Sequence, residues 1–225
     1  MICFAALQLS AMSAFADLRN YHPVKDSAQG SGITFHISYS LGTHDGTAET
    51  VTGSLDLKST EPLVASGQFQ VPIRSLKTGN AQRDCHLLES LGLNYADTQY
   101  PGEHVCNGEN RLPETGKNAV AFPDITLKII SVAMDDPKTP FQLNHEAKLQ
   151  INGEWTIHGV TKPVKFPMKM TPVGDQLRLQ GELPFLLKDY GIVVKSAHVL
   201  IATISVSDTA TAVFDMLLNG PAAIH

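Results

Sequence analysis

The residues best suited to chemistry fall in one short run, Arg83-Asp84-Cys85-His86, which sets a cation, a carboxylate, a thiol and an imidazole side by side. A thiol beside an imidazole suggests nucleophilic catalysis, with the histidine taking the thiol proton. Leu87, Leu88 and Leu91 follow at helical spacing, and adjacent residues on a helix point in different directions, so His86 is poorly placed as a base for Cys85. Arg83, Asp84 and His86 then read either as an ordinary helix start, with Asp84 favourable to the helix dipole, or as polar contacts to a ligand. No other segment offers catalytic machinery. The nine histidines form no H-E-x-x-H and no H-x-H pair, and G-x-S-x-G, P-loop, G-x-G-x-x-G and C-x-x-C motifs are all missing. No catalytic residue, metal ligand or cofactor is assigned, and the chain reads as a non-enzyme.

Cys85 has a second reading, which depends on the N-terminus. Residues 2–16, ICFAALQLSAMSAFA, carry no charge, and Ala14 and Ala16 stand three and one positions before Asp17. This is the shape of a secretory apolar segment ending in an A-x-A cleavage site. Residues 1–16 are therefore expected to be a signal peptide and 17–225 a single mature domain, periplasmic or secreted. Cys3 leaves with the leader, and an oxidising compartment would pair the remaining Cys85 and Cys106. That bridge closes a loop of about 22 residues and would stabilise by roughly 3 kcal/mol.

Charge excludes several partners. Against 22 acidic residues stand 17 Lys and Arg, a net charge of −5, with no basic cluster to meet nucleic-acid phosphates or an anionic bilayer. No apolar run reaches the roughly 18 residues of a membrane span.

The elements that position these residues are strands. Ile33, Phe35, Ile37, Tyr39 and Leu41 alternate with polar residues, and after a turn-like stretch at 42–46 so do Val51, Gly53, Leu55 and Leu57, which predicts a hairpin. Ala65, Gly67, Phe69, Val71 and Ile73 make a third strand. Residues 81–93 form the one convincing helix, and 94–119 are turn-rich. Alternation returns with Ile125, Leu127 and Ile129; with Leu149, Ile151, Trp155 and Ile157; with Val164, Phe166, Met168 and Met170; and with Leu177, Leu179, Leu183 and Phe185. Val199 to Val206 reads as the eighth strand, and 208–225 as an appended tail. Eight strands with short turns and one helix indicate an all-β antiparallel barrel or sandwich. A barrel of eight strands is either filled by its own side chains or holds one slender ligand. If it is hollow, the inward-facing Phe35, Ile37, Phe69, Leu127, Ile129 and Leu149 are candidate ligand contacts, together with Ile151, Trp155, Phe166, Met168, Leu179 and Phe185.

Several stretches, in order, resemble the YceI-like family: Ser31-Gly32-Ile33-Thr34-Phe35, the run from Ile73 to Asn80, Gln82-Arg83-Asp84-Cys85-His86-Leu87, Tyr100-Pro101, the run from Gly153 to Val164, and Lys188-Asp189-Tyr190-Gly191-Ile192. The most specific are Thr156-Ile157-His158-Gly159-Val160-Thr161-Lys162 and Arg83-Asp84-x-His86-Leu87. The resemblance implies an eight-stranded, lipocalin-like barrel, usually periplasmic and often dimeric. Inside would lie a long apolar molecule such as a polyisoprenoid, an isoprenoid quinone or a fatty amide. It carries no catalytic residue across. It maps the barrel interior, with Arg83, Asp84 and His86 near the mouth. This sequence departs from the pattern in an insertion at about 101–121 and in the stretch beyond 207. The function expected is a binding or carrier protein; the alternative is a solid barrel that acts as an interaction module through the 101–121 loop.

Overall fold

The computed structural model describes residues 18–24, 32–58, 63–91, 121–193, 197–199 and 202–221. The leader at 1–16, Cys106 and all but the last residue of the insertion at 101–121 lie outside the described residues, and with them the proposed disulfide. The strands run β1 (Leu18–Pro23), β2 (Gly32–Tyr39), β3 (Gly42–Ala48), β4 (Thr52–Lys58), β5 (Val64–Pro72) and β6 (Leu76–Lys77). Helix α1 (Ala81–Ser90) follows, then β7 (Asp124–Met134), β8 (Ala147–Ile157), β9 (Val160–Val173), β10 (Gln176–Leu186), β11 (Ala197–Val199), β12 (Ala202–Ile204) and β13 (Val206–Asn219).

Period-two patterning builds the wall. Along β8 every second residue from Ala147 to Ile157 is buried and its neighbours are exposed or half-buried. The β8–β9 ladder stays in register over its whole length because the connection is a tight one, His158-Gly159, with φ of 52° and 74°. Two successive residues at positive φ match the strand twist of a two-residue hairpin turn. In β7 the register slips between Ile129 and Ser131, and the ladder bulges at Ile130, whose side chain is exposed.

The sheet closes on itself. β13 pairs antiparallel with β10 on one side, and on the other with β2 and then β1. β2 pairs with β3, β1 with β4, and β3 runs on into β4 after a short break. Taking β1 with β2, β3 with β4 and β5 with β6 as single staves, these three and β7, β8, β9, β10 and β13 make eight. The fold is thus a closed antiparallel eight-stranded barrel with one helix, and closure removes the open sheet edges that invite aggregation.

Three expectations are corrected. The first hairpin joins β2 to β3 across Ser40-Leu41, so residues 42–46 are strand, and the 51–57 run pairs with β1. The eighth strand is not Val199–Val206: β11 and β12 form their own small ladder there. Residues 208–219 are no appended tail but most of β13, the stave that closes the barrel. Ala210, Ala212, Phe214, Met216 and Leu218 point inward from it and are buried. The first two of these are alanines, which weakens the apolar alternation that marks a strand in sequence.

The core is one continuous apolar cluster inside the barrel. Burying each Leu, Ile, Phe or Met stabilises by about 1.5–3 kcal/mol relative to exposure. One end is packed by Phe166, Met168, Met170, Leu179, Phe214 and Met216, all at most 3% exposed.

Candidate functional site

Helix α1 sits over the other end of the barrel, fixed by its first turn. The Asn80 side chain accepts the Arg83 N–H at 3.0 Å, a standard N-cap. Asp84 Oδ1 accepts both the backbone N–H (2.7 Å) and the hydroxyl (2.6 Å) of Thr78, tying the helix to the chain that leads into it. Leu88 and Leu91 are buried in the barrel cluster, and Leu87 packs against it.

Between the helix and the barrel lies an apolar cavity of about 70 Å³, continuous with a space of about 590 Å³ when its open mouth is counted. Phe35 and Ile37 of β2, Trp155 of β8 and Phe185 of β10 supply large side chains to its wall. Leu87 and Leu91 of α1 close over it. The hollow has a local cause. Ala212 stands opposite Phe35, and Ala210 opposite Ile37, so β13 places two small side chains here, whereas farther along it places Phe214 and Met216. Phe214 stacks on Phe166 at 5.6 Å and meets the edge of Trp155 at 6.1 Å, making a dense layer between the cavity and the packed end.

Of the apolar residues picked from sequence, Phe35, Ile37, Trp155 and Phe185 line this cavity. Phe69, Leu127, Ile129 and Leu149 are buried in the core outside it, as are Ile151, Phe166, Met168 and Leu179. Sequence reasoning missed Ala48, Ala210 and Ala212, because an alanine carries no apolar signal of its own; what matters is the large residue it is not. It also missed Leu187 and Ile192, which bracket the short turn after β10.

The polar trio does not converge. Arg83 reaches β3, where its Nη1 lies 3.0 Å from Nδ1 of His44, and the His44 ring stacks on Tyr39 at 4.1 Å. Asp84 turns to Thr78. His86 is exposed and faces Glu89 at 3.5 Å. None of the three lines the cavity. Burial, with the Arg83 charge adding to it and Asp45 opposing, holds His44 below the usual imidazole range. Near the rim, His158 Nδ1 donates to the Tyr190 carbonyl at 3.2 Å. Burial, reinforced by Asp189, pushes the Tyr190 phenol up to about 12, so it stays neutral at physiological pH.

The lining is chemically uniform. Among the described residues that form it, the indole N–H of Trp155 is the one polar side-chain group. Such a surface can hold apolar matter; it supplies no acid, base or nucleophile at the cavity wall. Among the described residues, no three His, Cys, Asp or Glu side chains come together as a metal site. No helix among them is long and apolar enough to cross a membrane.

Comparison with known proteins bears on the same regions. No curated protein matches the sequence. Two solved structures share the fold. BcnA of Burkholderia cenocepacia aligns with a TM-score of 0.56 at 15% identity, covering 85% of this chain and 98% of its own. A polyisoprenoid binding domain from Saccharophagus degradans implicated in plant cell wall breakdown aligns with a TM-score of 0.57 at 12% identity, covering 91% and 99%. The YceI-like domain model matches residues 26–101 and 112–216, breaking inside the segment read as an insertion and running through most of β13. Because that match takes in every strand of the barrel except β1, together with α1 and the cavity between them, the chain belongs to the YceI-like family.

Proposed function

We propose that this protein binds and carries a long apolar molecule of the polyisoprenoid class, held in the barrel beneath α1, in the periplasm or outside the cell. The observation that carries the reading is the cavity itself: a wholly apolar hollow at one end of an otherwise densely packed barrel, roofed by a helix. The resemblance to a domain described as polyisoprenoid-binding supports the same class of ligand. The leader-like segment at 1–16 supports export.

Size sets the mode of binding. At about 70 Å³ the cavity is small beside the ~300–1,000 Å³ of small-molecule sites. It has room for the end of a chain and not its length. The Phe166–Phe214 layer stops the ligand from running through the barrel. The tail therefore enters end-on, and the remainder lies in the mouth. Affinity then grows by about 0.8 kcal/mol for each CH₂ taken from water. An uncharged interior needs no group that performs chemistry on the ligand, which favours binding over catalysis.

Native mass spectrometry of protein purified from the periplasm of its expression host, with organic extraction of the same sample, tests the proposal. The expected result is a bound apolar mass released by the solvent. An unliganded protein that also fails to take up long-chain isoprenoids added in vitro would overturn it.

A further inference from the structure

The barrel wall is not laced along its whole height. β9 and β10 pair from Val173 and Gln176 up to Met168 and Gly181. Above that level β9 is still held by β8 as far as Val160, and β10 by β13 as far as Leu186, but no pairing between β9 and β10 continues among the described residues. Carrying their register upward sets Glu182 against Pro167, Pro184 against Lys165 and Leu186 against Pro163. Each of these rungs would need an N–H that a proline lacks. Pro167 does face β10, since its carbonyl oxygen lies 2.7 Å from where a Cβ on Gly181 would stand. Higher still the two edges meet again, where His158 in the β8–β9 turn bonds to the Tyr190 carbonyl at 3.2 Å. The result is a side opening, closed below by Met168 and Gly181 and above by His158 and Tyr190.

Exposure marks the same place. Residues directly opposite on paired strands share a face, so Lys162, opposite Trp155, belongs to the inner face of β9 with Phe166, Met168 and Met170. Those three are at most 3% exposed, whereas Lys162 is exposed. On its β8 side Trp155 and Ile157 are buried, which leaves the β10 side as the one open to water. There Leu183 is buried and the next inward residue, Phe185, only half-buried. Phe185 and Trp155 both line the cavity, and β9 between them contributes nothing to its lining. The opening therefore leads to the cavity wall.

We propose that the gap between β9 and β10 is the entrance by which an apolar chain reaches the cavity, its far end remaining in the opening. The route depends on the ligand-binding reading above and adds to it the place of entry. Entry at the helix end would make α1 give up the burial of Leu88 and Leu91 and its contacts to Thr78 and His44. At the side opening no ladder bond between β9 and β10 has to break. The same prolines keep an extended peptide from lacing onto the two edges, which favours a passage over a docking strip.

A long-chain isoprenoid alcohol esterified with a nitroxide acid tests the route on the full-length exported protein, stripped of lipid. With the tail in the cavity, the nitroxide should broaden most the backbone amide signals of Lys162, Lys165, Glu182 and Leu186, and least those of α1 and of Ser40 and Leu41 at the β2–β3 tip. Broadening centred on α1 and Ser40-Leu41 overturns the route and leaves the ligand-binding reading standing. If the probe does not bind, both fall. Pro163→Val combined with Pro184→Val restores two of the missing donors and lets the ladder run on, which slowed hydrogen exchange at the Lys165 amide would report. Probe uptake, followed through the fluorescence of the single tryptophan, Trp155, should then slow by at least about tenfold, because the closed wall must part before entry. Unchanged uptake in a variant whose Lys165 amide is protected also overturns the route. The broadening is read on the wild-type protein, so it decides the matter even if the variant folds poorly.

Discussion

Arg83 Nη1 lies 3.0 Å from Nδ1 of His44, a contact that joins the first turn of the helix over the cavity to the middle of β3. A guanidinium can only donate, so Nδ1 of His44 must present its lone pair, and the ring is neutral with its proton on Nε2. The pairing places a titratable group in the attachment of the helix whose Leu87 and Leu91 form the cavity roof.

Acidification should therefore weaken that attachment. His44 has its folded pKa below the ordinary imidazole value of 6.5, mainly through burial and then through Arg83, with Asp45 opposing. As pH falls, the unfolded state takes up the proton first, so this contribution is complete above about 6.5 and is lost below it, until folded His44 also protonates. Denaturation midpoints should fall between about pH 7.5 and pH 5, and less so in His44→Gln. In Arg83→Gln the His44 imidazole should titrate at a higher pH by NMR, because a charge that opposes protonation is gone.

Asp84 should prove structural. Asp84→Ala removes the acceptor of two Thr78 hydrogen bonds at the helix start and should cost about 1–2 kcal/mol in urea denaturation. Asp84→Asn keeps an acceptor without the charge and should cost roughly half as much, with little change in ligand affinity.

Filling the hollow should separate binding from folding. Ala212→Phe adds a ring opposite Phe35 at the cavity wall. It should lower affinity for apolar chains by at least about tenfold, with an overpacking cost of about 1–3 kcal/mol. Phe166→Ala, in the layer beneath, should show the reverse: a loss of about 3–5 kcal/mol in stability and ligand affinity within a few-fold of wild type. Calorimetric binding and thermal unfolding of the two variants decide the matter.

Gly53 should tolerate nothing larger. Its φ is +121°, and a Cβ there would come within 2.0 Å of the Gln68 carbonyl oxygen on the paired strand β5. Gly53→Ala has to part β4 from β5 and should destabilise by more than about 2 kcal/mol, seen as loss of soluble protein or of the cooperative transition.

The local patterning of the barrel is legible residue by residue along the chain. Alternation in β2, β5, β8, β9 and β10 follows from side chains pointing to opposite faces of a strand, and it identified the inward residues Phe35, Phe69, Trp155, Phe166 and Phe185. The leucine spacing after Arg83 marked the one helix because 3.6-residue periodicity is equally local. What these elements enclose follows from long-range pairing and not from local pattern. Residues 208–225 read in sequence as a tail, and only the partners β10, β2 and β1 make 208–219 the closing strand, since pairing joins residues far apart in the chain. Arg83 and His44 are 39 residues apart, and their contact exists only because α1 folds back over β3. The position of the hollow depends on which side chains stand beside one another on paired strands. Two alanines facing Phe35 and Ile37 leave space that Phe214 and Met216 deny at the other end, and that is a property of register and closure rather than of any one residue.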